Sequence, residues 1–137
     1  MRHTTEIKLA NLADLILAKE GVIPTEEVRS ITVEDALVDT GASRLSLPKP
    51  IIEQLGLIPV GRLPSKTANG TVMRTVYSGV EFTIMERSDI IQVTDLPKDA
   101  PVLVGHIILE KLDICLHIEK GLIYNPDHGN EWIDEAW

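Results

Sequence analysis

Ala36-Leu37-Val38-Asp39-Thr40-Gly41-Ala42-Ser43 runs three apolar residues into an aspartate, a threonine and a glycine. An aspartate directly after a buried strand places a carboxylate at a loop, with a hydroxyl and a flexible backbone beside it. Thr40 can hydrogen-bond across a tight interface, and Gly41 lets the backbone turn and approach a neighbour closely. The chemistry that uses such a placement is water activation by two carboxylates sharing one proton. Like charges about 3 Å apart cannot both ionise, so one stays an acid while the other serves as base. One carboxylate cannot do this alone, and neither Asp-Thr-Gly nor Asp-Ser-Gly recurs in the chain. That chemistry therefore requires two chains to meet at Asp39.

Upstream, Val28 to Val38 is rich in β-branched residues and free of Gly and Pro, which predicts a strand. Gly21 to Glu27 reads as a loop. Residues 6 to 18 fit two patterns: Ile7, Leu9, Ala13, Leu15 and Leu17 alternate, whereas Leu9, Leu12 and Ile16 share a helix face. Downstream, Lys49 to Leu55 predicts a short helix, with prolines at its start and Gly56 placed to end it. Asn69-Gly70 between the arms Leu63 to Ala68 and Thr71 to Val76 is a hairpin signal. Val80, Phe82 and Ile84 alternate along another strand, and Ile90 to Val93 suggests a further one. Pro101-Val102-Leu103-Val104 reads as a short buried strand ending at Gly105, followed by a helix over Ile107 to Leu112. Ile114 to Ile118 and Leu122 to Tyr124, joined by Glu119-Lys120-Gly121, make a closing hairpin. Leu37-Val38-Asp39-Thr40-Gly41 and Val102-Leu103-Val104-Gly105 echo each other, which suggests two similar halves about a pseudo-two-fold axis. Only the first carries an aspartate at its turn.

The chain's 137 residues fit a single domain over 1–137, with a core at about 28–124, an N-terminal strand or extension at 1–27 and a tail at 125–137. Aromatic residues make up 4%, so aliphatic side chains must fill the core. A net charge of -8 and the lack of a basic stripe argue against nucleic acid or an anionic membrane as partner. The lone cysteine, Cys115, lies in an apolar run and reads as a small buried hydrophobe. The apolar stretch Leu9 to Ala18 is interrupted by Asn11 and Asp14, too broken for a signal peptide and too short to span a bilayer. A cytoplasmic protein is expected. His3, His106, His117 and His128 are scattered without ligand spacing, and neither metal nor other cofactor is expected. Asp35 reads as a solvated strand residue and His128 as a turn residue. The tail, with Trp132 and Trp137, reads as docked on the chain's own surface.

The whole order of segments resembles the retropepsin-like, or retroviral-type, aspartic proteases and their bacterial and cellular relatives. The resemblance covers roughly Val28 to Tyr124 and is strongest over Leu37 to Ser43. Ala42, three residues after the aspartate, is the retroviral pattern rather than that of the two-lobed pepsins. The resemblance implies an all-β fold: a closed acid-protease barrel with one or two short helices, acting on peptide or protein substrates as a homodimer. It would make Asp39 the catalytic residue, Thr40 the hydroxyl that locks the two loops together, and Gly41 the residue under the substrate backbone. Ala42 and Ser43 would touch substrate, as would Ala68, Asn69 and Gly70 in a flap formed by the Thr67 to Thr71 hairpin. Leu103-Val104-Gly105 would support the active-site loops from behind, and aliphatic pockets would line the groove. Two positions depart from the viral pattern. His106 stands where viral members carry arginine, and Ser43 stands where they tend to carry its acidic partner.

Two other readings stay open from the sequence. Asp39-Thr40-Gly41-Ala42-Ser43 also fits the Asp-x-Gly-x-Ser phosphate loop of sugar-kinase and actin-like folds, which need far more chain and a second such loop. A retropepsin-like fold that binds peptides or dimerises without cleaving is the other, since fold does not guarantee activity.

Overall fold

Residues 3–39, 41, 42, 44–112, 115–117, 122–124 and 132–135 are described by a computed structural model, the last three stretches by their backbone alone. The expected roles of Thr40, Ser43, Cys115, His128, the Glu119-Lys120-Gly121 turn and the tryptophan tail fall outside that description.

Strict alternation carries the first strand, β1 (His3–Asn11), whose residues Thr5, Ile7, Leu9 and Asn11 are buried between more exposed neighbours. At Leu12 the chain turns into helix α1 (Leu12–Lys19), because the Asn11 side chain accepts the Asp14 N–H at 3.1 Å and caps it. The alternation thus holds only as far as Asn11, and although a helix follows, the apolar face expected for it does not form: α1 buries Asp14, while Ile16 is half exposed. The expected loop follows, with one 3-10 turn at Thr25–Glu27. Then come β2 (Ser30–Asp39), β3 (Leu45–Pro48), helix α2 (Lys49–Leu55), β4 (Pro59–Thr67), β5 (Gly70–Ile84) and β6 (Arg87–Leu96). β7 (Leu103–Gly105), helix α3 (His106–Lys111), β8 (Cys115–His117), β9 (Leu122–Tyr124) and β10 (Trp132–Glu135) complete the order. Among the described residues no helix is long and apolar enough to cross a membrane.

Six strands close on themselves in the order β1-β2-β7-β3-β6-β5, and β5 returns to β1 through the pairs Lys8↔Thr83 to Asn11↔Val80. Closure leaves these six strands with no open edge along most of their length. Inside lie Ile7, Leu9, Leu45, Leu47, Val93 and Val104, packed around Phe82, so an aliphatic core does fill the barrel. Each such side chain contributes about 1.5–3 kcal/mol by leaving water. β3 had no sequence expectation of its own; its Leu45 and Leu47 point into the core while Ser46 faces out.

Two segments read as separate strands are one. β5 runs 15 residues, its second half in the barrel and its first half leaving it to form an exposed hairpin with β4. The register against β6 slips between Tyr77 and Val80, at Gly79, where an added Cβ would stand 3.3 Å from a Leu12 methyl. At the hairpin tip Thr67 pairs with Gly70, so the two-residue turn is Ala68-Asn69 rather than Asn69-Gly70, and Gly70 takes the positive φ of 113°. β8 and β9 form the expected closing hairpin, to which β10 adds a third strand.

A polar knot fastens the start of the chain to α2. Asn11, which caps α1, also donates from Nδ2 to the Leu55 carbonyl at 2.8 Å. Arg29 clamps the Asp14 carboxylate through Nε at 2.8 Å, through a terminal amine at 3.0 Å and through its backbone N–H at 3.0 Å. Gly56 ends α2 in the left-handed region, and a Cβ there would occupy the space of the Arg29 guanidinium.

Hydrogen bonding by Arg29 holds the Asp14 carboxyl below the usual carboxylate range. A lowered folded-state value means this clamp stabilises fully above the unfolded aspartate's pKa, about 3.9, and is lost as pH falls through the folded one. Asp14→Asn should therefore melt below wild type at neutral pH, with the gap closing toward pH 3; a gap constant across that range would contradict the assignment. The β5–β6 turn gives a second expectation. Met85 and Glu86 both take positive φ, 49° and 66°, which costs non-glycine residues about 1–2 kcal/mol each. Glu86→Gly should raise stability by about 0.5–1 kcal/mol in thermal melts, and a lowered melting point would refute this.

Candidate active site

Asp39 is the last residue of β2, and its position is set by a parallel ladder with β7. Leu37 pairs with Leu103, Val38 with Val104 and Asp39 with Gly105, and the Leu37 N–H donates to the Val102 carbonyl at 2.8 Å. Val38 and Val104 are buried, so the two strands are locked by packing as well as by hydrogen bonds. Apolar side chains therefore hold the ladder up to the point where the carboxylate emerges, half-buried.

The loop beyond is held by the carboxylate itself. Gly41 donates its N–H to Asp39 Oδ1 at 2.9 Å, and the Ala42 N–H reaches the Asp39 carbonyl at 3.1 Å. A Cβ on Gly41 would stand 3.3 Å from that Oδ1, which explains the glycine by close approach rather than by φ. The other carboxylate oxygen has no partner among the described residues.

The loop is braced from behind by the start of α3. The Ala42 carbonyl accepts the His106 backbone N–H at 2.9 Å and lies 2.8 Å from His106 Nδ1. A carbonyl only accepts, so the ring nitrogen facing it carries the proton. Gly105 donates to the Arg44 carbonyl at 3.0 Å, completing the brace. The histidine that stands at the viral arginine position thus ties α3 to the loop by direct donation to backbone.

A groove of about 500 Å³ opens beside Asp39. Gly41, Ala42 and Arg44 line it on the loop side, and the β4 arm from Leu63 to Thr67 lines it together with Arg74 of β5. Ser46 and Thr94, their hydroxyls 2.8 Å apart, and Leu103 complete it. Of the residues singled out from the sequence, Asp39, Gly41 and Ala42 come together here. Ala68, Asn69 and Gly70 sit at the exposed hairpin tip, outside the lining of a single chain. Arg44, Arg74, Ser46 and Thr94 had no expectation attached. The period-two pattern of the hairpin was the available signal, since Arg74 is the ladder partner of Leu63. The lining is also more polar and more basic than the aliphatic groove that the resemblance implied. Asp35 is exposed on β2, and among the described residues no cluster of His, Cys, Asp and Glu is arranged to hold a metal ion.

The sequence profile of the aspartyl protease family matches residues 26–104, more than half of the chain. Among solved structures, EIAV protease complexed with the inhibitor HBY-793 aligns with 82% of this chain and 88% of its own length. The TM-score is 0.52 at 16% identity, a likeness of fold. No curated protein matches in sequence.

His106→Ala removes the ring donor from the Ala42 carbonyl while leaving the backbone donor. It should cost about 1 kcal/mol of stability in denaturant unfolding, and an unchanged midpoint would show that the ring does not brace the loop.

Proposed function

The chain belongs to the aspartyl protease family, and on that premise we propose that two copies pair about a two-fold axis to form one endopeptidase, with Asp39 of each as its catalytic carboxylates. One observation carries the reading. Among the described residues lining the groove, Asp39 is the only carboxylate, and one of its oxygens is left free by the loop. The chemistry needs two such groups, and a second copy of the same loop supplies the other by symmetry.

In that assembly a water lies between the two carboxylates, which share one proton. The ionised member takes a proton from the water as its oxygen attacks the peptide carbonyl carbon, and the protonated member gives its proton to the carbonyl oxygen. The tetrahedral species then collapses, the C–N bond breaks and the amine leaves with a proton. Gly41 leaves room for the substrate backbone, and Ala42 lies beside it. Thr40 links the two loops, and the β4–β5 hairpin, with Ala68, Asn69 and Gly70 at its tip, closes over the bound peptide and excludes water. The single cysteine supports a reducing, cytoplasmic setting.

Asp39→Asn keeps the shape of the side chain and removes the ionisable group. Peptide cleavage should fall by roughly three orders of magnitude or more, while sedimentation still gives a dimer. Cleavage near the wild-type rate would end the proposal. A wild-type protein that binds peptides but cleaves none across the pH range would favour the non-catalytic module instead.

A further inference from the structure

The groove beside Asp39 is positively charged in a chain that is otherwise acidic. Thirteen Lys and Arg stand against 21 Asp and Glu in the whole sequence, a net charge of -8. In the groove the balance is reversed, with Arg44, Lys66 and Arg74 facing the single acid Asp39. Elsewhere three basic side chains are held, Arg29 by Asp14, Lys111 by Asp89 at 2.8 Å and Arg87 at the Leu112 carbonyl at 3.1 Å. Lys8, Lys19, Lys49, Arg62 and Lys98 are exposed and line no part of this groove; what distinguishes the groove is that three cations converge on one cleft. None of the three groove cations has a side-chain hydrogen bond or ion pair among the described residues. Asp95, on the strand beside Arg74, accepts the Thr75 N–H at 3.0 Å and does not line the groove.

Arg74 is also not an ordinary solvated surface arginine. It alternates with Val76, which is buried, and it pairs across the ladder with half-buried Leu63. Its half-burial beside the groove removes part of its hydration and offers a planar fork of donors in return. Arg44 stands two residues before Ser46 on the facing side, its backbone fixed by the Gly105 N–H. Unpaired guanidinium groups on both sides of a groove form a recognition surface for carboxylates, and the surrounding acidic body sharpens the contrast.

We infer that the groove selects peptides carrying aspartate or glutamate on the residues flanking the bond to be cut, with Arg44 and Arg74 as the specificity-determining side chains. This rests on the reading of Asp39 as the cleaving group. In the paired assembly each arginine occurs twice, so acidic residues on both sides of the scissile bond find a partner. Lys66 adds to the attraction without the geometry for a bidentate contact.

The test separates this inference from the proposed catalysis. Binding of an octapeptide with glutamates flanking a central apolar pair, and of its glutamine twin, is measured by calorimetry on the full-length Asp39→Asn protein. Cleavage of the same two peptides is measured on wild type. The acidic peptide should bind and be cut about tenfold better or more, with the preference shrinking as salt rises. In Arg44→Gln and Arg74→Gln the ratio between the two peptides should fall toward one. Equal binding of the twins, or a preference that survives both substitutions, overturns the inference. The wild-type comparison stands even where a substituted protein does not fold. Preference in binding with no cleavage of either peptide supports the groove assignment and counts against the catalytic reading alone.

Discussion

β2 and β7 lie side by side in parallel, and this pairing is the constraint on which the site depends. Parallel neighbours cannot be joined by a tight turn, so the chain must travel through β3, α2 and the long β4–β5–β6 excursion before β7 arrives beside β2. Once there, Val38 and Val104 are buried at the same level, and the two strands end together at Asp39 and Gly105. Everything at the site follows from that shared ending. The residue after Gly105 begins α3, and His106 there reaches back to the Ala42 carbonyl. The loop is therefore fixed at both of its ends by backbone geometry, with the carboxylate turned toward the groove.

The barrel supports this arrangement from a distance. β1 closes it by pairing with both β2 and β5, so the strand carrying Asp39 is hydrogen-bonded on both flanks. Asn11 at the end of β1 is tied in turn to α1 and α2, which links the far rim of the barrel to the helix following β3. The hairpin of β4 with the first half of β5 stands outside this closed unit and is mostly exposed. Elements with few buried contacts open at low free-energy cost, and a covering flap needs that freedom.

Much of this was legible in the sequence because each feature had a local cause. Lys49 to Leu55 forms a helix with the bounds its prolines and Gly56 announce, and the aliphatic run into Asp39 is a buried strand. The family relation rested on residues consecutive in the chain, Leu37 to Ser43, so their order already carried it. Other features depend on partners far away in sequence. Over residues 6 to 18 the alternation belongs to β1 alone, and the Asn11 cap, with Asp14 buried against Arg29 rather than an apolar face, decides where the strand gives way to α1. Asn69-Gly70 favours a turn at itself, but the ladder register moved the turn back by one residue, and Gly70 absorbed the unusual backbone angle instead. Arg74 reads as one charge among 34, and becomes part of the groove only when β5 pairs with β4 and turns it inward.

The pairing of two chains at Asp39 is the claim on which the mechanism stands, and inhibitor stoichiometry tests it without mutation. A peptide with a statine-type hydroxyl mimics the tetrahedral species and needs both carboxylates at once. Calorimetric titration of the purified wild-type protein should give one inhibitor bound per two chains, with the dimer tightened by binding. One inhibitor per chain on a protein that stays monomeric would contradict the account.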